Sequence, residues 1–173
     1  VGHSLNTYGG SRSLTVVADV TLYGSIGTAA SRSDAHTSGR LTLEGGGPYN
    51  APVSGTTTIT SMTSTGSGDS SLNNKSGGTF TNNDGTVLFN AAGDQRMEMA
   101  GTGNVHNLTI SKSDNDLVTF GNLTVEGDLS ITLATVHTMR PNNASETLTV
   151  TGDVTIVEGK LGELTQEIAE GIT

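Results

Sequence analysis

The 173-residue sequence contains no cysteine and no tryptophan. Disulfides and thiolate metal sites are therefore excluded. Aromatic residues make up only 3% and the hydrophobic set 32%, low values for a globular domain. The core must be thin and built mainly from Val, Ile and Leu. A compact α/β enzyme of this length normally carries more apolar bulk. Basic residues are also scarce: Lys and Arg total 8 against 17 Asp and Glu, a net charge of −9 with a pI of about 4.6. They are scattered along the chain, and no basic patch with interleaved aromatics occurs, which argues against nucleic-acid binding. An acidic surface disfavours anionic membranes, and no apolar run approaches the roughly 20 residues of a membrane span. Charged residues are only 14%, so charge repulsion does not enforce disorder. The chain opens on Val1 with no signal peptide, which reads as a processed product or an excerpt of a longer protein.

Gly (24 residues) and Thr (28 residues) are abundant. The β-branch of Thr restricts χ1 and suits strands. Gly supplies the positive φ that corners need. With Ser and Asn they form an uncharged polar face, a make-up common in secreted or particle-surface β proteins.

One phrase is written three times, at Ser13–Leu22, Asn122–Ile131 and Thr147–Ile156. Its pattern is x-Leu-Thr-Val-x-(Gly/Ala)-Asp-(Val/Leu)-(Thr/Ser)-(Leu/Ile). Two alternating runs flank a small residue and an Asp, which describes a strand, a tight corner and another strand. Repetition of that unit predicts a solenoidal β architecture. The rhythm is clearest from Gly78 onward. Asp84-Gly85 between two alternating runs is a turn signal. Leu108, Leu123 and Leu148 recur at intervals of 15 and 25 residues. Before residue 77 the spacing is irregular.

The expected organisation is an N-terminal β region over 1–76, a solenoid over 77–162 and a capping tail over 163–173. The first region includes a flexible Ser/Thr/Gly-rich segment. In the tail Leu161, Leu164 and Ile168 fit helical spacing, so a short C-terminal helix can cover the open end of the stack. The expected fold class is all-β, parallel β-solenoid coils with an additional N-terminal β region.

The run Gly101–Ile131 resembles the Asn-Leu-Thr-Ile and Gly-Asn-Leu-Thr-Val repeats of bacterial secreted β-solenoid proteins and of phage fibre or surface proteins. The resemblance extends over roughly residues 77–160, with an echo at 13–24. It implies a parallel β-solenoid and identifies no receptor and no reaction.

Asp19, Asp128 and Asp153 share one position of the phrase. If the coils stack, at least Asp128 and Asp153 line one edge, where they can form a Ca²⁺ site or a polysaccharide-cleaving acid pair. The favoured reading is a turn Asp that bonds its own backbone. Asp114 and Asp116 offer clustered oxygens but lack the full EF-hand pattern. No cofactor is expected; Ca²⁺ is the weak alternative. The histidines His3, His36, His106 and His137 form no metal-ligand pair, and neither a Gly-x-Ser-x-Gly elbow nor a phosphate loop occurs. Asn107 and Asn122 are expected to stack as an Asn ladder. Asn143, in Asn143-Ala144-Ser145, is the glycosylation candidate.

These readings favour a non-enzymatic structural protein on the exterior of a virus particle, a phage decoration or fibre component. Its expected partners are copies of itself, a trimer among the options, and other capsid or fibre proteins. The alternative is a segment of a bacterial cell-surface adhesin that binds glycan or itself. A polysaccharide-active β-helix enzyme is the third reading.

Overall fold

The computed structural model describes residues 4–5, 14–15, 20–22, 25–26, 36–44, 48–52, 54–60, 70–76, 79–99, 103–112, 118–133, 138–158 and 160–161. All their regular structure is β. Every three consecutive strands complete one coil. The first coils hold β1 (Ser4–Leu5), β2 (Leu14–Thr15) and β3 (Val20–Leu22), then β4 (Ser25–Ile26), β5 (His36–Ser38) and β6 (Leu41–Glu44). Next come β7 (Pro48–Asn50), β8 (Thr56–Ile59) and β9 (Leu72–Ser76), then β10 (Thr79–Thr81), β11 (Thr86–Phe89) and β12 (Gln95–Glu98). The remaining coils hold β13 (Gly103–Val105), β14 (Asn107–Lys112) and β15 (Val118–Phe120), then β16 (Leu123–Val125), β17 (Leu129–Leu133) and β18 (Thr138–Pro141). The last holds β19 (Leu148–Val150), β20 (Val154–Glu158) and β21 (Lys160–Leu161).

Stacking these coils makes three faces. The first face is a seven-stranded sheet, β2-β5-β8-β11-β14-β17-β20, and the second is β3-β6-β9-β12-β15-β18-β21. The third face is split into β1-β4-β7-β10 and β13-β16-β19. All pairings are parallel. The protein is thus an all-β parallel solenoid. The described strands of the N-terminal β region are coils of that same solenoid, in sheets continuous with those of the later residues. Its inward positions carry the same kind of side chain, with Leu41, Leu43, Tyr49 and Ile59 all buried. The Ser/Thr/Gly-rich segment at 61–69 and the tail at 163–173 lie outside the described residues.

The interior follows from the period of two along each strand. In β14 Leu108 and Ile110 point inward while Thr109 and Ser111 face out. In β17 the inward pair is Leu129 and Ile131. Register builds continuous rows: His36, Thr57, Val87, Leu108, Leu129 and Val154 are aligned in the first face, and the row is apolar from Val87 onward. One narrow row per strand position fills the core, which is why 32% hydrophobic content suffices. Tyr49 and Phe80 stack in the third face with ring centroids 5.3 Å apart, and the Tyr49 hydroxyl meets Thr57 Oγ1 at 2.7 Å.

Asn82–Gly85 is the expected turn, with positive φ at Asn83 (42°) and Asp84 (53°). This is the backbone of a type I′ turn. Here it joins strands of two different faces rather than a hairpin. Among the described residues the third face divides between β10, which precedes this turn, and β13. The coil-to-coil bond resumes immediately, since the Asn107 N–H donates to Gly85 O at 3.0 Å.

Candidate functional site along one corner

The corner between the third face and the first face gathers most of the singled-out polar residues. The chain reaches it at 82–85, 106, 126–128 and 151–153. The register is regular: Asn107, Asp128 and Asp153 each directly precede members of the Leu108, Leu129 and Val154 row. Their side chains form a ladder. Asn107 Oδ1 accepts the Asp128 N–H at 2.9 Å, and Asp128 Oδ1 accepts the Asp153 N–H at 3.0 Å. Each side chain therefore supports the next coil, whereas the sequence predicted an Asp that bonds its own backbone. The parallel stack is the reason: the next N–H lies about 4.8 Å away along the axis.

Asn107 and Asn122 do not stack on each other, which corrects the expected Asn ladder. Asn107 sits at this corner, whereas Asn122 precedes β16, at the start of the third face. Asn122 Oδ1 accepts the Thr147 N–H at 3.0 Å. The interval of 15 residues between Leu108 and Leu123 is thus a step from one face to another, not a coil. The coil repeat runs Leu108 to Leu129 to Val154.

A second layer of polar contacts crosses the same corner. Asn82 Nδ2 donates to Glu126 Oε2 at 2.7 Å, and Asn104 Nδ2 donates to the other Glu126 oxygen. His106 Nδ1 lies 3.6 Å from Asp84 Oδ1. Asn83 Nδ2 donates to Ala51 O at 3.0 Å. Gly127 and Gly152 are needed here: an added Cβ would lie 2.3 Å from Asn107 Oδ1 or 2.6 Å from Asp128 Oδ1. The exposed carboxylates of Asp84, Asp128 and Asp153, with Glu126, give the corner a strip of negative charge.

Asp128 and Asp153 do line one edge, as the phrase predicts. Asp19 lies outside the described residues, but its flanking strands β2 and β3 belong to the first and second faces. The first copy of the phrase thus spans a different corner from the other two. Asp114 and Asp116 also lie outside the described residues. No group of three or more His, Asp or Glu able to hold a metal ion occurs among the described residues. Asn143 is exposed in the bend after β18. Glu146 accepts from both its backbone N–H (2.8 Å) and its Nδ2 (3.0 Å).

Two buried polar clusters escaped the sequence reading. Lys112 is buried, and its Nζ donates to Ala91 O (2.7 Å), Gly93 O (2.6 Å) and Gln95 Oε1 (3.0 Å). An ammonium has three donors, matching these acceptors. Gln95 Nε2 in turn donates to Ile59 O at 3.0 Å. Three coils are thereby tied through one polar centre. The signal was present: Lys112 has the inward parity of Leu108 and Ile110. The other cluster joins Glu98, buried in β12, to Ser70 Oγ at 3.0 Å and to Arg96. Arg96 also belongs to a register row of the second face, Ser71–Arg96–Thr119–Arg140. Basic residues scattered in the sequence thus partly align in space.

No protein-family model matches this chain, and neither a curated protein nor a solved structure does.

Proposed function

We propose that this protein is a non-enzymatic structural element of an exterior surface, of the kind that decorates or extends a virus particle. The observation that supports the reading is where the polar groups go. Asn107, Asn122, Asp128, Glu126, Gln95 and Lys112 each bond to a neighbouring coil. Side chains able to do chemistry are used along the stack to hold coils in register. Such a stack, with Thr, Ser and Asn outward, is rigid along its axis and strongly solvated. Its net charge of −9 keeps isolated copies apart in dilute buffer.

The test has two parts. Release of reducing ends is measured after incubation with a panel of anionic polysaccharides, and particle attachment is measured by co-sedimentation with intact virions. No cleavage and specific attachment are the expected results. Cleavage that is lost in Asp128→Asn or Asp153→Asn would overturn the reading in favour of a polysaccharide-active β-helix enzyme.

A further inference from the structure

We infer that the outward side of the first face is an ice-binding surface, its ligand a crystal plane of water itself. The inference goes beyond the structural reading above and is tested apart from it.

Alternation leaves every second side chain of this sheet pointing out, and register arranges those side chains in columns. The middle column reads Thr37, Thr58, Leu88, Thr109, Ser130 and Thr155. On one side of it stand Thr56, Thr86 and Asn107. On the other stand Ser111 and Thr132, paired in register, with Thr60 and Asn90, which follow the paired Ile59 and Phe89. Thr60, Asn90, Ser111, Thr132 and Thr155 are exposed, and the rest of the array is half-buried. Its polar groups lie on a grid of about 4.8 Å between coils and about 6.7 Å between alternate residues of one strand. Register carries the middle column over five coil steps, from Thr37 to Thr155, a length of about 24 Å.

Two features select the ligand. Charge is kept off this face in a chain of net charge −9. No outward position of β5, β8, β11, β14 or β17 is charged. Carboxylates flank the face at the corner, at Asp128 and Asp153, and Arg96 and Arg140 lie on the second face. A charge pressed onto a neutral solid loses part of its hydration, so an uncharged array complements an uncharged partner. No aromatic ring faces out from these five strands either, since Phe89 is buried. The sugar rings of a crystalline polysaccharide would find nothing to stack on. Ice needs neither charge nor ring. Its prism plane repeats water oxygens at two perpendicular distances, each within about a tenth of the two spacings of the array. Threonine suits such a plane, because its β-branch fixes χ1 and holds hydroxyl and methyl in place. The backbone beneath is already ordered by the ladder, so little freedom remains to be lost on docking. Water bridging the columns then merges with the growing lattice.

The experiment grows ice slowly from a seeded solution of the 173-residue chain. Protein captured in the ice is measured against protein left in the liquid. Growing ice rejects ordinary solutes, and capture of the wild type is the expected result. A ring on the middle column holds a flat lattice off the face, so Thr109→Tyr and Ser130→Tyr should each lower capture about tenfold. Thr124→Tyr, outward on β16 of the third face, should leave it unchanged. Circular dichroism checks that each variant keeps its β structure, and Thr109→Lys replaces a tyrosine variant that unfolds. Rejection of the wild type by ice, capture indifferent to the first-face substitutions, or an equal loss in Thr124→Tyr would overturn the assignment. Retention on crystalline cellulose without capture by ice would overturn it in favour of a neutral polysaccharide. Polysaccharide cleavage, in contrast, would remove the structural reading and leave ice capture standing.

Discussion

The coil at 123–133 and the coil at 148–158 are nearly the same sentence written twice, yet they are buried differently. Leu129 and Ile131 are fully buried; Val154 and Ile156, their partners in register, are not. Local pattern cannot explain this, because both strands alternate in the same way. In a stack, burial of an inward side chain is supplied by coils on both sides. The inner coil has two neighbours, and among the described residues the outer one has a single neighbour. Burial here depends on position in the stack as well as on the side chain itself.

The sharpest way to break that comparison is to make one substitution in both coils. Ile131→Ala should cost about 3 kcal/mol, from lost transfer energy plus a cavity between two coils. Ile156→Ala, in the same row, should cost less than about 1 kcal/mol, since much of its surface already meets water. Denaturant unfolding in dilute, low-salt buffer measures both. Equal losses would mean that the end is covered in solution.

Lys112→Met asks whether the inner coils depend on polar ties as well as apolar rows. The variant keeps the length of the side chain and removes its donors. Ala91 O, Gly93 O and Gln95 Oε1 then lose a buried partner. A loss of about 2 kcal/mol in chemical unfolding is expected, the typical penalty for stranding buried acceptors. A neutral result would mean that water enters and replaces the ammonium.

Much of this arrangement was legible before any coordinates. The alternation within the phrase is that of β16 and β17, whose apolar members Leu123, Val125, Leu129 and Ile131 are buried, and the phrase at 122–131 and 147–156 does stack on itself. The phrase at 13–22 also brackets its corner with two strands, β2 and β3, but at a different corner of the coil. A phrase states strand, corner, strand, but a three-faced coil has three such corners, and the words are the same at each. Coil length also varies, since corner loops differ, so counting residues cannot assign a face. The 15-residue interval misled for that reason. Hydrogen bonds between coils, such as Asn122 to Thr147, join residues whose separation only register defines. Lys112 shows another kind of miss: its parity was readable, but a charged residue at an inward position looks like the end of a strand until its carbonyl partners are placed.

Gly152 tests the comparison from another side, because an outer-coil position should be sensitive where backbone, rather than apolar burial, sets the limit. A Cβ on Gly152 would lie 2.6 Å from Gly127 O, a backbone atom that cannot swing away. Gly121, one coil further in, has only the Glu146 carboxylate nearby, at 3.7 Å. Gly152→Ala should lower stability by about 1–2 kcal/mol, an overpacking cost. Gly121→Ala should be close to neutral by thermal unfolding. The reverse order would show that the corner relaxes more readily than its tight spacing implies.

The smallest expected effect is the most informative about the ladder. Asn107→Ala removes the acceptor that holds the Asp128 N–H, and a loss of about 1 kcal/mol or less is expected at this partly solvated site. Asp153→Ala removes a carboxylate at the last rung, beyond which no further coil is described. In the isolated molecule it should change nothing measurable by chemical unfolding. The same pair of variants therefore separates two ideas about the corner. A larger loss for Asn107→Ala than for Asp153→Ala means that the accepted N–H of the following coil is what each rung contributes. Equal losses would show that these side chains act on their own turns, as the sequence alone predicts, and that the bonds between coils add nothing measurable.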